Sequence, residues 1–412
     1  MTGPRLPGAA QRMIMLAGKG VRAVRRGGVS AAADRMVRFA YRQIGAGDPP
    51  LLTDDIADSR TLRLPVPTTP PARGRALHVG WVADPPALGS GGHTTMFRMV
   101  AALEAAGHRC TLFLYDRWGG DLDQQRTIIR QGWPTVQAEV RHAADGITGV
   151  DAAIATGWES AHALARHGAG PMRRLYFVQD YEPFFFAHGP EYALAEDSYR
   201  FGFRCIALGD MVADALRTEV GIEPDVTQFG CDTDVYRLAP SGPRTGIVWY
   251  ARPGAPRRGF WLGSLALAEF QRRHREVPIH VYGDTPRSLP FQAIRHGRLT
   301  PDELNSLYNS CIAGLALSFT NISLVAEEML AAGTIPVIND SPRARADLVN
   351  DHARWSSPTP AAIADALSLI VTDSDPDRPA AAAASVRRGW GPAQADLVRV
   401  VEEEVYGRQL VS

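Results

Sequence analysis

Across 412 residues the sequence holds a single lysine, Lys19. Chemistry that needs a lysine amine, such as the Schiff base that anchors pyridoxal phosphate, has only that one position to use. Cysteine is almost as scarce: Cys110, Cys205, Cys231 and Cys311, with no C-x-x-C pair. Such spacing fits neither a disulfide framework nor a zinc site, and it fits a reduced, cytoplasmic chain. His93, His188 and His280 are scattered, without metal-site spacing such as H-E-x-x-H, so no metal is expected. The net charge is +0, which argues against nucleic acid as a partner of the whole chain. No run approaches the roughly 18 apolar residues of a membrane span. The N-terminus lacks a long apolar core and a small-residue cleavage site, which points away from secretion.

The length exceeds that of one hydrophobic core, so two domains are expected. Charge is unevenly spread. Residues 1–44 carry nine basic residues against Asp34 alone, a net +8, which leaves −8 for the remainder. Within residues 10–44, Met13, Leu16, Val21 and Val24 recur near a helical period, as do Met36, Phe39, Ala40 and Ile44. Arginines fall off those stripes. A basic amphipathic arm of this type can lie on an anionic membrane surface. The plain alternative is a loosely ordered arm, since Gly18, Gly20, Gly27 and Gly28 weaken any long helix. Residues 45–75, rich in Pro, Asp and Thr, read as a linker.

From Ala76 the pattern becomes strand and helix in alternation. Ala76–Val82 reads as a strand, then Gly89-Ser90-Gly91-Gly92-His93 as a glycine-rich turn, Thr94–Ala106 as a helix and Cys110–Tyr115 as a strand. Further steps follow at Ala152–Ala155, Leu175–Val178 and Cys205–Leu208. A connector near 227–244 separates residues 76–240 from a second set of steps in 241–390. There Gly246–Tyr250 and Ile279–Tyr282 read as strands. A helix opens at Pro301 behind the capping box of Thr300 and Glu303. Residues 391–412 supply a last helix, which has room to cross back to the first domain. The alternation predicts an α/β chain of two Rossmann-like, doubly wound domains.

The second domain is organised around the stretch Ser318–Ile338, a strand–loop–helix–strand step. Its loop, Thr320-Asn321-Ile322-Ser323, opens a helix whose free N–H groups favour an anion. Glu328 is a carboxylate in an apolar helix, able to hold sugar hydroxyls or simply to sit solvated near the helix start. Arg252 and Arg257, in the loop after the domain's first strand, could cradle a diphosphate; a solvated basic loop is the alternative. In the first domain, Gln179-Asp180-Tyr181-Glu182 with Phe184, Phe185 and Phe186 could make a sugar-binding wall or a packed loop. The triplets at Asp121, Asp232 and Asp373 read as turns.

Taken together, these motifs resemble the GT-B glycosyltransferases of retaining family 4. Ser323-Leu324-Val325-Ala326-Glu327-Glu328-Met329-Leu330-Ala331-Ala332-Gly333 resembles that family's G-L-x-P-x-E-A-M-A-x-G segment. The resemblance puts Glu328 at the glutamate that holds the donor's ribose, and Arg252 with Arg257 at the diphosphate clamp. The family's earlier glutamate, eight positions before, falls on Thr320, a departure that points to a deoxysugar or other non-glucose donor. Phe229-Gly230-Cys231-Asp232 is similar to the connector N-G-V-D. Val178-Gln179-Asp180 with Glu182, Tyr250-Ala251-Arg252-Pro253 and Thr320-Asn321-x-Ser323-Leu324 look similar to WsaF-type bacterial rhamnosyltransferases, which use dTDP-rhamnose.

The resemblance implies transfer of a sugar, rhamnose in the finer reading, from a nucleotide-diphosphate donor to a cell-surface glycan or lipid-linked glycan acceptor. It also implies retention and no metal or other cofactor. Arg252, Arg257, Thr320, Asn321, Ser323, Leu324 and Glu328 would bind the donor. Gly91, Gly92, His93, Asp180 and Glu182 would face the acceptor, with Asp180 orienting it. The expected location is the cytoplasm, at the inner face of the membrane if the arm engages lipid. Rival readings are a sugar-nucleotide epimerase of the same architecture and a non-catalytic glycan- or membrane-binding subunit. A dehydrogenase is disfavoured, because neither domain carries the G-x-G-x-x-G fingerprint.

Overall fold

The computed structural model describes residues 51–407 apart from 118, 241, 285–287, 323, 374, 387 and 388. The two helical stripes expected in residues 10–44 lie outside the described residues. Both sheets lie in one compact unit, Asp54–Ser412.

The first lobe is built on seven parallel strands: β1 (His78–Ala83), β2 (Arg109–Leu114), β3 (Glu139–His142), β4 (Ala152–Ala155), β5 (Arg173–Val178), β6 (Arg204–Leu208) and β7 (Asp225–Thr227). Their order across the sheet is β3-β2-β1-β4-β5-β6-β7. The second lobe has six parallel strands: β8 (Ile247–Ala251), β9 (Ile279–Gly283), β10 (Ile294–Gly297), β11 (Ala313–Leu315), β12 (Ile335–Asn339) and β13 (Arg354–Ser356), in the order β10-β9-β8-β11-β12-β13. Central strands such as Ala-Ala-Ile-Ala in β4 are buried at every position, because helices cover both faces of a parallel sheet. Each sheet reverses direction once, between β1 and β4 and between β8 and β11. Ligands of such sheets bind outside the carboxyl ends of the strands at that reversal.

The first helix, α1 (Gly91–Ala105), begins three residues before the expected Thr94. Ser90 is its N-cap: the hydroxyl accepts from His93 N at 3.4 Å and bonds His93 Nδ1 at 2.8 Å. The glycine-rich turn is thus largely the helix's first turn. Within it only Gly89, at φ 78°, occupies the left-handed region. Asp121 caps α2 (Leu122–Gly132) through Asp123 N at 2.9 Å, so that triplet is a helix start. Next come α3 (Trp158–His167), α4 (Pro190–Ser198) and α5 (Asp210–Val220), the last closed by Gly221 at φ 70°. The short edge strands β3, β7, β10 and β13 have too few residues to show a pattern in the sequence.

In the second lobe, α6 (Phe260–Arg273) precedes α7 (Pro301–Ser310). The latter starts at its capping box, with Thr300 N donating to Glu303 Oε2 at 2.8 Å. The central stretch folds as α8 (Leu324–Ala331), ending before Gly333 at φ 77°, and leads into β12. Helices α9 (Pro342–Asp347), α10 (Pro360–Thr372) and α11 (Arg378–Ser385) complete the lobe. The last helix, α12 (Gly391–Tyr406), packs on α1 and on β5 to β7 of the first lobe. Leu397, Val400, Val401 and Val405 are buried there, and Arg204 binds Asp225 at 2.7 Å and Glu403 at 3.1 Å.

The segment 54–75, read as linker, is fastened along the first lobe. Asp55 accepts from Tyr115 OH at 2.6 Å and meets His167 Nε2 at 2.8 Å, and Arg174 donates to Pro65 O at 2.7 Å. Its Asp and Pro residues break regular structure while their oxygens serve as anchors.

Candidate active site

The two loops that flank the reversal of the second sheet are joined to each other. Phe319 N, in the loop after β11, donates to Arg257 O, in the loop after β8, at 2.8 Å. Ser318 is clamped by Asn339 of β12, which accepts from Ser318 N and donates to Ser318 O, each at 2.7 Å. The loop carrying Thr320 and Asn321 is therefore held from both sides.

Arg252 is exposed and donates to Tyr250 OH at 3.1 Å. Arg257 is half-buried; its guanidinium lies 4.0 Å from the Phe185 ring centroid, and its Nε is 3.7 Å from Asp180 Oδ2. The neighbouring Arg258 was not singled out in the sequence. It donates to Ser318 Oγ at 2.8 Å and to Asn321 Oδ1 at 3.4 Å, and burial, with the like charge of Arg257, pushes its pKa down to about 10. Its position beside Arg257 in a strand-end loop was the signal available for finding it.

From the first lobe, Asp180 follows β5 and reaches this loop directly. Its Oδ2 accepts from Thr320 Oγ1 at 2.7 Å and its Oδ1 from Asn321 N at 3.4 Å; Asn321 Nδ2 donates to Gln179 O at 2.7 Å. Asp180 is only 6% exposed, Thr320 2% and Asn321 7%. Burial raises the Asp180 pKa, while Arg258 and Arg257 oppose the shift. Ser323 lies outside the described residues, and Leu324 is the first residue of α8.

Glu328, on α8, is partly open, yet its surroundings push its carboxyl up to about 8, first by burial and then by the charge of Asp232. Asp232 is paired with Arg98 of α1. Tyrosines connect Arg252 to Glu328. Tyr250 stacks on Tyr282 with centroids 5.0 Å apart, Tyr282 OH and Tyr308 OH share a hydrogen bond at 2.6 Å, and burial, with a smaller push from the charge of Glu328, raises the pKa of both Tyr282 and Tyr308.

On the acceptor side expected from the sequence, Gly91 and Gly92 are exposed in the first turn of α1, and burial lowers the His93 pKa. Glu182 Oε2 accepts from Trp158 N, at the start of α3, at 2.5 Å. Burial and the charge of Glu159 push its carboxyl well above the usual range; Glu159 itself is pushed up to about 8 by burial and Asp84. No local pattern in the sequence marks Asp84 or Glu159. They follow β1 and β4, the two strands at the reversal of the first sheet, and that topology is what brings them to Glu182.

Of the two arrangements open for the aromatic segment, the structure has the packed loop. Phe184 and Phe185 lie under the guanidinium groups of Arg343 (4.3 Å) and Arg257, and Phe186 meets Trp158 edge-on at 5.9 Å. Cation–π contact with second-lobe arginines occupies one face each of Phe184 and Phe185.

These two facing lobes are a GT-B fold. Residues 245–368 match the family model described as WsaF, C-terminal domain. The O-antigen biosynthesis protein RfbC of Myxococcus xanthus is 30% identical over 307 residues, which are 71% of this chain and 24% of that protein. This chain therefore spans about a quarter of that relative's length. Among solved structures, a glycosyltransferase from Rickettsia africae is similar with a TM-score of 0.58 at 14% identity, covering 81% of this chain and 100% of that one. Anabaena HepE, in complex with UDP and glucose, is similar with a TM-score of 0.55 at 15% identity, covering 80% and 98%.

Proposed function

We propose that the chain is a glycosyltransferase of glycan biosynthesis, moving a sugar from a nucleotide-diphosphate donor to a glycan or lipid-linked glycan acceptor. The finer reading is rhamnose from dTDP-rhamnose, with retention and without a metal. The observation that carries it is the convergence of Arg257, Arg258, Thr320 and Asn321 at the reversal of the second sheet, facing Asp180 across the cleft. Arg252 stands on the same strand-end loop. Arginine forks suit phosphate oxygens and keep their charge at any working pH. As the bond from the sugar's anomeric carbon to the diphosphate breaks and the bond to the acceptor oxygen forms, charge collects on the departing diphosphate. Fixed cationic donors stabilise it. The acceptor's proton passes to a diphosphate oxygen on the same face, consistent with retention. Glu328 would hold the nucleoside sugar ring. Gly91, Gly92, His93 and Glu182 would line the acceptor side, where carboxyls of raised pKa keep protons to share with hydroxyls. The RfbC likeness supports the surface-glycan setting, and the HepE complex supports a nucleotide sugar. Lipid contact through residues 10–44 belongs to the same reading.

A thermal-shift screen of dTDP-rhamnose against UDP- and GDP-sugars tests it, because a ligand bound only by the folded state raises Tm. A rise with one nucleotide sugar, followed by acceptor-dependent release of nucleoside diphosphate, is expected. No rise at millimolar concentration would end the reading. Conversion of the donor alone would mark an epimerase, and binding without turnover a non-catalytic subunit.

A further inference from the structure

We propose that Asp180, carried by the first lobe, reads the donor's sugar in the second lobe's site. This inference rests on the glycosyltransferase reading. The sequence points Asp180 at the acceptor; the structure turns its carboxylate onto the donor-side loop, 2.7 Å from Thr320 Oγ1 and 3.4 Å from Asn321 N.

The second lobe has a deficit that Asp180 meets. The loop after β8, residues 252–259, brings Arg252, Arg257 and Arg258, and the loop 316–322 brings Thr320 and Asn321; neither contains an acid. A diphosphate would satisfy the arginines, but the sugar it carries also needs acceptors for its hydroxyl protons. Thr320 cannot offer its proton elsewhere while it donates to Asp180. A carboxylate accepts about four hydrogen bonds. Asp180 spends one on Thr320 and one longer bond on Asn321, and Arg257 Nε stands 3.7 Å away. Acceptor capacity thus remains beside the arginine assigned to the diphosphate. Because the carboxylate belongs to the other lobe, the sugar-reading group is complete only when the lobes are closed. Sugar recognition and closure become one event, which limits loss of the donor to water in the open state.

The test compares two ligands in the full chain: a nucleoside diphosphate and the nucleotide sugar made from it, using whichever pair stabilises the wild type best. Titration calorimetry is run on wild type, Asp180→Asn and Thr320→Val. In neither variant should the diphosphate affinity fall, since Thr320→Val keeps the backbone amides and Asp180→Asn removes a negative charge beside Arg257. Affinity for the nucleotide sugar should fall by about tenfold or more, the usual effect of losing a hydrogen bond to a charged group. If both ligands weaken in parallel, or neither does, Asp180 is a structural latch and the proposal is overturned. A wild-type chain that binds neither ligand overturns the glycosyltransferase reading, and this inference with it.

Discussion

Glu328 shows how a single side chain reports its surroundings. Its carboxyl, ordinarily at 4.5, is raised to about 8, so between those values the folded chain keeps a proton that the unfolded chain has lost. Stability then falls as pH rises through that window and levels off above it. Glu328→Gln carries no such charge. Its Tm should match wild type at the acid end and exceed it increasingly toward pH 8, in the absence of ligand. A constant offset across the range would show that Glu328 ionises freely. The chemical types of Glu328, Arg252 and Arg257 were legible in the sequence, because each sits in a motif with fixed neighbours. Asp84 and Glu159 were not, since nothing adjacent to them in the chain marks them, and Arg258 carries only the mark of its neighbour Arg257. Their significance comes from strands and loops that meet only after folding.

At the scale of elements, local rules served well where the chain is locally decisive. Helix α7 begins at Thr300 because the hydroxyl and Glu303 satisfy each other's end groups. Thr300→Ala should cost about 1 kcal/mol, a fall in Tm of roughly 2 °C for a domain this large; no change on thermal melting would mean the cap is idle. The loop after β8 makes a sharper prediction. Arg257→Ala should weaken nucleotide-sugar binding by roughly tenfold to a hundredfold, the loss of a charged hydrogen-bonding partner, in a chain that still melts cooperatively at a somewhat lower temperature because the Phe185 and Asp180 contacts are lost. Unaltered affinity in calorimetry would move the diphosphate site elsewhere. Elements failed to announce themselves where they are short or at edges. Strands β7 and β13 have three residues each, too few for a period, and the start of α1 was obscured by glycines whose neighbour Ser90 sets the cap.

For the whole molecule, contacts between lobes decide what the cleft can do. Besides Asp180 with Thr320, Arg343 of the second lobe reaches Glu219 of the first at 2.7 Å, and Asp347 accepts from Met211 N at 3.1 Å. Gly209, at φ 89°, lies at this second contact, where an added Cβ would sit 2.5 Å from Asp347 Oδ1. Gly209→Ala should therefore strain the backbone and push the lobes apart. A lower Tm and a larger radius of gyration by small-angle scattering are expected without ligand. If neither changes, the lobes are not held at this point.

The sequence by itself determined the strand and helix alternation, the two sheets and the arginine and glutamate motifs of the second lobe, because hydrophobic period, caps and glycine positions act over a few residues. Only the tertiary structure brought Asp180 against the second lobe, since its partner Thr320 lies 140 residues away. The same holds for the acid group at the first sheet's reversal and for the phenylalanine rings covered by arginines. Side chains far apart in the chain acquire a common environment through strand order and lobe contact, and no local pattern encodes that.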